Sequence, residues 1–141
     1  MERTASATWR GTIKDGSGEV SSASGALADN AYSFDARFQN GKGTNPEELI
    51  GAAHAGCYSM ALSKLLEQRG VKPERIDTEA TVVLEKGKDG HEISKIRLDT
   101  RVEAPGAEPS TVEEAAQAAK STCIVSRLLD AEIVLEATLV H

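Results

Sequence analysis

Between Leu49 and Leu62 the chain reads Leu-Ile-Gly-Ala-Ala-His-Ala-Gly-Cys-Tyr-Ser-Met-Ala-Leu, a run without a single Asp, Glu, Lys or Arg in which Gly, Ala and Ser recur. Helix signals bracket it. Asn45 is a good N-cap, Pro46 suits the first helical position, Glu48 completes an Asn-x-x-Glu capping box, and Gly70 stands where a left-handed residue ends a helix. The spacing predicts a helix over 45–69. Because its middle is apolar nearly all round, it should be buried on nearly every side, and its small residues let other backbones approach closely.

The rest of the chain supplies strands. The first forty residues read as a β-meander: a strand over 7–13, a turn at Asp15-Gly16-Ser17-Gly18, a short return at Glu19-Val20-Ser21, and a third strand over 32–38. In that third strand Tyr32, Phe34, Ala36 and Phe38 would share one face, leaving Arg37 to point away from the apolar layer. Residues 74–86 and 91–104 form a hairpin around Gly87-Lys88-Asp89-Gly90. Ser110 with Glu113 suggests a second capping box opening a helix over 112–120. Ser121-Thr122 offers a further N-cap before a short helix starting at Cys123. A last strand over 132–140 alternates as an edge or half-buried strand does. The order βββ-α-ββ-αα-β defines an α+β fold.

With 141 residues the chain is expected to form one domain. Its net charge of −6 and the lack of any Lys/Arg cluster argue against nucleic acid and anionic membranes as partners. Aromatic residues make up 4%, too few for base-stacking platforms. No apolar stretch approaches the roughly 20 residues that span a bilayer, and the opening MERTASATWRG has no apolar targeting segment, so a cytoplasmic location is expected.

Two cysteines remain as candidate chemistry. In a reducing compartment they imply a redox pair, a metal site or inert core residues. Cys123, placed in the first turn of a helix, would gain thiolate stabilisation from unpaired N–H groups. His54, three residues before Cys57 on the same helical face, reads as a thiol-activating base, a metal ligand or a hydrogen-bonded core histidine. His91 and His141 are expected in solvent. Gly41-Lys42-Gly43-Thr44 lacks the phosphate-loop pattern, and no H-E-x-x-H, C-x-x-C or G-x-S-x-G is present. Besides a redox enzyme, a Cys57/His54 hydrolase and a non-enzymatic packing module stay open.

The run from Lys42 to Cys57, Lys-Gly-Thr-Asn-Pro-Glu-Glu-Leu-Ile-Gly-Ala-Ala-His-Ala-Gly-Cys, resembles the OsmC/Ohr family in its osmotically inducible branch. Trp9-Arg10-Gly11, the segment from Tyr32 to Phe38 and Cys-x-Val-Ser at Cys123 extend the likeness over essentially the whole chain. The resemblance implies a cysteine-based peroxidase acting on organic hydroperoxides, and more weakly on hydrogen peroxide, without metal or haem. It implies an intertwined homodimer in which β-sheets wrap around central helices, and reduction by an external dithiol such as a lipoylated protein. Carried over by position, Cys57 is the reactive cysteine, Cys123 the resolving one, Arg37 the site arginine and Glu47 its carboxylate partner. The chain departs from the family at Ile124, where members often carry proline. Ten helical residues rise about 15 Å, so a site using both Glu47 and Cys57 would draw Glu47 from a partner subunit or require a bent helix. The former is expected.

Overall fold

The computed structural model describes residues 1–140; His141 lies outside the described residues. Its elements run β1 (Ala5–Arg10), β2 (Ser17–Ser22), β3 (Asn30–Tyr32), α1 (Phe34–Phe38), α2 (Pro46–Glu67), β4 (Arg75–Gly87), β5 (Gly90–Glu103), α3 (Pro109–Thr122), α4 (Ile124–Leu128) and β6 (Glu132–Val140). The α+β class is as expected. The chain divides into two compact units, Met1–Leu49 and the part from Ile50 onward.

In the first unit β1, β2 and β3 form an antiparallel sheet in that order. Trp9, Gly18 and Tyr32 occupy one row across it, and the Trp9 and Tyr32 ring centroids lie 5.4 Å apart. A Cβ on Gly18 would collide with both rings, so glycine is what lets them meet.

The expected strand over 32–38 is corrected. The strand stops at Tyr32, and Phe34–Phe38 is helical. Ser33 explains the switch, because its hydroxyl accepts the Ala36 N–H at 3.1 Å and caps α1. Phe34 and Phe38 satisfy a period of two, but they are equally i and i+4, and their ring centroids lie 5.0 Å apart in a tilted contact along the helix. Arg37 accordingly does not point away from its apolar neighbours: its guanidinium sits 5.2 Å from the Phe38 ring centroid.

Helix α2 begins as expected, with the Asn45 side chain accepting the Glu48 N–H at 2.8 Å. The Glu48 carboxylate does not close the box; it takes the Thr44 hydroxyl at 2.9 Å. At the other end Val71 N–H bonds to Leu66 C=O at 2.9 Å and Gly70 N–H to Glu67 C=O at 3.0 Å, with Gly70 at φ 75°. This paired geometry needs a left-handed residue and explains the glycine.

The second unit is a sheet of order β4-β5-β6, with β4 antiparallel and β6 parallel to β5. The hairpin turns through Lys88-Asp89 between paired Gly87 and Gly90. Four rows cross the sheet: Val82–Ile96–Ile133, Ala80–Leu98–Leu135, Thr78–Thr100–Ala137 and Ile76–Val102–Leu139. The β5 members of these rows are buried while Arg97, Asp99 and Arg101 between them are exposed, so one face of the sheet is covered. Tyr58, Leu62 and Leu66 of α2 and Val112, Ala115, Ala116 and Ala119 of α3 complete the same core. The Tyr58 hydroxyl donates to Ala116 C=O at 3.1 Å. Ser59 donates to Thr78 at 2.8 Å, and Thr78 meets Thr100 at 2.9 Å, so the polar row is satisfied within the core.

Four further expectations are corrected. Helix α3 starts at Pro109 with Glu108 as an N-cap that makes no side-chain bond, so Ser110 lies inside the helix rather than capping it. Ser121 and Thr122 bond back to the Ala118 carbonyl, at 3.2 and 2.8 Å, instead of capping α4. Cys123 closes α3 and opens α4, lying just outside the first turn. Finally, α2 is not buried all round: Ala52, Ala53, Gly56 and Met60 are exposed.

Leu62→Ala should lower stability by about 2–5 kcal/mol, since Leu62 is wholly buried among facing core side chains and leaves a cavity. Urea unfolding followed by circular dichroism checks this, and a change within error of zero would contradict the packing.

Candidate active site

The four residues singled out by sequence fall into two pairs, one in each unit. In the first unit, α1 presents Arg37 and the first turn of α2 presents Glu47. Asn45 ties these elements together by donating from Nδ2 to the Ala36 carbonyl at 3.3 Å. Arg37 Nε and Nη2 donate to Glu47 Oε1 at 3.0 and 2.9 Å. Both N–H groups converge on one carboxylate oxygen, and the buried Oε2 has no partner. The arginine is thus held as a fork, with its side chain 42% exposed against 9% for the glutamate. Arg37 also lines a cavity of about 200 Å³ with Trp9, Tyr32, Phe34 and Phe38.

In the second unit Cys57 is half-buried on α2 and Cys123 is buried, both as free thiols. They line a mostly apolar cavity of about 820 Å³ together with Met60, Ala61, Lys64, Leu65 and Ile124. Burial alone pushes the Cys57 thiol up. The Val125 amide, the Cys123 thiol and the Ile124 amide favour its thiolate and outweigh that, so its pKa lies below that of an ordinary thiol. Ile124, noted in the sequence as a departure from proline, therefore contributes a backbone N–H that proline lacks.

His54 is fully buried, and its Nε2 lies 2.7 Å from the Ser126 hydroxyl while Nδ1 has no partner. Burial lowers its pKa and so favours the neutral imidazole. This is the hydrogen-bonded core histidine among the three alternatives. Its partner Ser126 was visible in the sequence only as part of Cys-x-Val-Ser, and no spacing rule links positions 54 and 126. Likewise, nothing in the sequence pointed to the Val125 amide or to Lys64 at the cavity wall. His91 is exposed. Among the described residues no group of three or more His, Cys, Asp or Glu side chains is placed to hold a metal ion, and no helix is long and apolar enough to cross a membrane.

A thiol pair sharing one cavity on an α+β framework is the arrangement that a cysteine-based redox protein needs. The family model described as OsmC-like protein matches residues 39–138. The chain is 52% identical over 130 residues to the peroxiredoxin OsmC of Escherichia coli strain K12, covering 92% of this chain and 91% of that one. It belongs to the OsmC family. Its fold is shared with an OsmC-like protein of unknown function from Vibrio cholerae, at TM-score 0.76 and 17% identity over 97% of this chain and 99% of the other. The organic hydroperoxide resistance protein OhrB of Bacillus subtilis is similar at TM-score 0.68 and 24% identity, covering 97% and 98%.

Limited alkylation should modify Cys57 ahead of Cys123, because Cys57 is the more exposed and carries the lowered pKa. The sign follows from the thiolate being the nucleophile. The rate should persist below the range where an ordinary thiol loses reactivity, and fall only as pH drops through the depressed value. Peptide mass spectrometry after timed iodoacetamide treatment reads both results, and preferential labelling of Cys123 would contradict them.

Proposed function

We propose that the chain is a thiol-dependent peroxidase that reduces organic hydroperoxides, and more weakly hydrogen peroxide, through a Cys57 sulfenic acid and a Cys57–Cys123 disulfide. The observation that carries this is the pair of free thiols, Cys57 and Cys123, lining one mostly apolar cavity. The Cys57 thiolate attacks the terminal peroxide oxygen and the O–O bond breaks. The products are a sulfenic acid and an alkoxide, which leaves as the alcohol after taking a proton. The Cys123 sulfur then displaces hydroxide from Cys57, giving water and a disulfide. An external dithiol, such as a lipoylated protein, restores both thiols.

Activating the sulfur is only part of the rate. A thiol of pKa about 8.5 is about 3% thiolate at pH 7, so full ionisation gains at most about 30-fold. The remainder is assigned to charge stabilisation on the departing oxygen, for which a guanidinium in a water-poor pocket is suited. Arg37, oriented by Glu47, is the proposed donor. The ten-residue spacing of Glu47 and Cys57 supports drawing that pair from the partner of a homodimer. The exposed small residues Ala52, Ala53 and Gly56 of α2 support such an interface, since they permit close backbone approach. On this reading both units act as one OsmC-like domain, and the protein works in the cytoplasm. The hydrolase alternative is disfavoured because the His54 Nε2 is engaged by Ser126.

One equivalent of cumene hydroperoxide should remove two thiols per chain by thiol counting. Cys57→Ser should abolish consumption, and Cys123→Ser should allow one turnover that leaves Cys57 oxidised; steady-state activity in both variants would refute the cycle. Arg37→Ala should slow peroxide reduction by about 10²–10³-fold, the usual loss for one transition-state donor. A monomeric variant with full activity would sink the intersubunit assignment.

A further inference from the structure

Two side-chain hydrogen bonds tie α2 to the segment that carries Cys123, and neither takes part in the peroxide chemistry described above. His54 Nε2 lies 2.7 Å from the Ser126 hydroxyl in α4, and the Tyr58 hydroxyl donates to the Ala116 carbonyl in α3 at 3.1 Å. His54 and Tyr58 are both wholly buried and stand one turn of α2 apart, so they share a face of that helix. Cys57 falls between them in the chain. On the other side Ala116 precedes Cys123 and Ser126 follows it.

The joint between α3 and α4 is therefore fastened to α2 on both sides of Cys123, by residues that flank Cys57. Cys123 belongs to the buried core, Cys57 packs against that core, and both line the same cavity. A buried imidazole is destabilising unless its polar atoms are satisfied, and Nδ1 of His54 has no partner, so the Ser126 bond is what the ring gains. A sulfenic acid at Cys57 faces the cavity, and two reactions compete for it. Attack by Cys123 gives a disulfide and water, whereas a second hydroperoxide gives a sulfinic acid and an alcohol. Bonds that hold the two thiol-bearing segments together speed the first reaction and leave the second alone.

We propose that the His54–Ser126 and Tyr58–Ala116 hydrogen bonds fasten the Cys123 joint to α2 so that Cys123 closes on Cys57 before a second peroxide reaches it. His54, Ser126 and Tyr58 are positioning residues, and the reacting groups remain the two cysteines. The proposal rests on the thiol–disulfide cycle set out above.

The test treats the reduced full chain with an aromatic disulfide, dithiobis(nitrobenzoate), which separates attack from closure. Cys57 attacks the reagent and releases a first thionitrobenzoate at a rate proportional to reagent; Cys123 then attacks the Cys57 sulfur of the mixed disulfide and expels the second at a rate independent of reagent. Stopped-flow absorbance reads both phases. Ser126→Ala and Tyr58→Phe should each slow the second phase by about two- to tenfold, the factor carried by one hydrogen bond of ordinary net strength, and leave the first in place. Ser126→Thr keeps the hydroxyl and should restore the rate. An unchanged second phase in Ser126→Ala or in Tyr58→Phe overturns the fastening by that bond. Equal slowing in Ser126→Thr and Ser126→Ala overturns the hydrogen bond as the cause, and a second release that scales with reagent in the unaltered chain overturns closure itself. Should Tyr58→Phe fail to fold, the Ser126 pair decides on its own. With cumene hydroperoxide, mass spectrometry should find half of Cys57 as sulfinic acid at a dose lower by the same factor in the slowed variants. Slowed closure in a protein that consumes no peroxide keeps the fastening and rejects the peroxidase, whereas turnover with unchanged closure does the reverse.

Discussion

The unit that carries the thiols depends on how closely α2 lies against the β4–β5 ribbon. At Gly51 a Cβ would stand 3.4 Å from both the Ala80 carbonyl and a Val82 methyl, in van der Waals contact with the ribbon. That approach seats Tyr58, Leu62 and Leu66 in the same core as the buried β5 positions, each without exposed surface. It also brings Ser59 within 2.8 Å of Thr78, so the one polar row of the sheet is bonded to the helix instead of left unsatisfied. With one face of α2 fixed in this way, Ala52, Ala53 and Gly56 remain outward. Cys57 falls at the border between the two faces, half-covered.

That border position sets the electrostatic problem of the site. Covering a thiol raises its pKa, and here burial is the largest single influence on Cys57. Polar groups of the short stretch Cys123–Val125 favour the thiolate and reverse it. The sulfur is thus activated by backbone geometry and a neighbouring thiol without a cationic side chain. The remaining strain shows in the polar atoms the fold leaves bare. Among the described residues three buried side-chain atoms lack partners, and two of them, Glu47 Oε2 and His54 Nδ1, belong to residues beside the proposed chemistry.

Elements whose evidence is local were legible in the sequence. Asn45, Pro46 and Gly70 mark α2 because each solves a terminal hydrogen-bonding problem inside its own helix, and Lys88-Asp89 between glycines marks the hairpin for the same reason. The segment 32–38 misled because Phe34 and Phe38 fit both periods, and the deciding interaction was a single Ser33 cap. Arg37 and Glu47 could be named from the resemblance, but not the convergence of both N–H groups on one oxygen. His54 with Ser126 was illegible for a different reason. Their contact spans 72 positions in the chain and joins residue types that are common apart, so only the packing of α4 on α2 reveals it.

The joint at Cys123 shows how one backbone could serve both states of the proposed thiol–disulfide cycle. Its amide bonds to the Ala119 carbonyl at 2.9 Å, closing α3, and its carbonyl accepts from Arg127 at 3.0 Å, opening α4. The main chain is therefore held on both sides, and what can move is the side chain. The Cys123 thiol shares a cavity with the Cys57 sulfur, and a disulfide between them would require the sulfurs to close to about 2.05 Å. Cys123 is 1% exposed, whereas Cys57 faces the cavity. In the proposed cycle peroxide and reductant must then both meet the pair from the Cys57 side. In that cycle the buried partner would resolve the sulfenic acid without itself being open to oxidation from solvent.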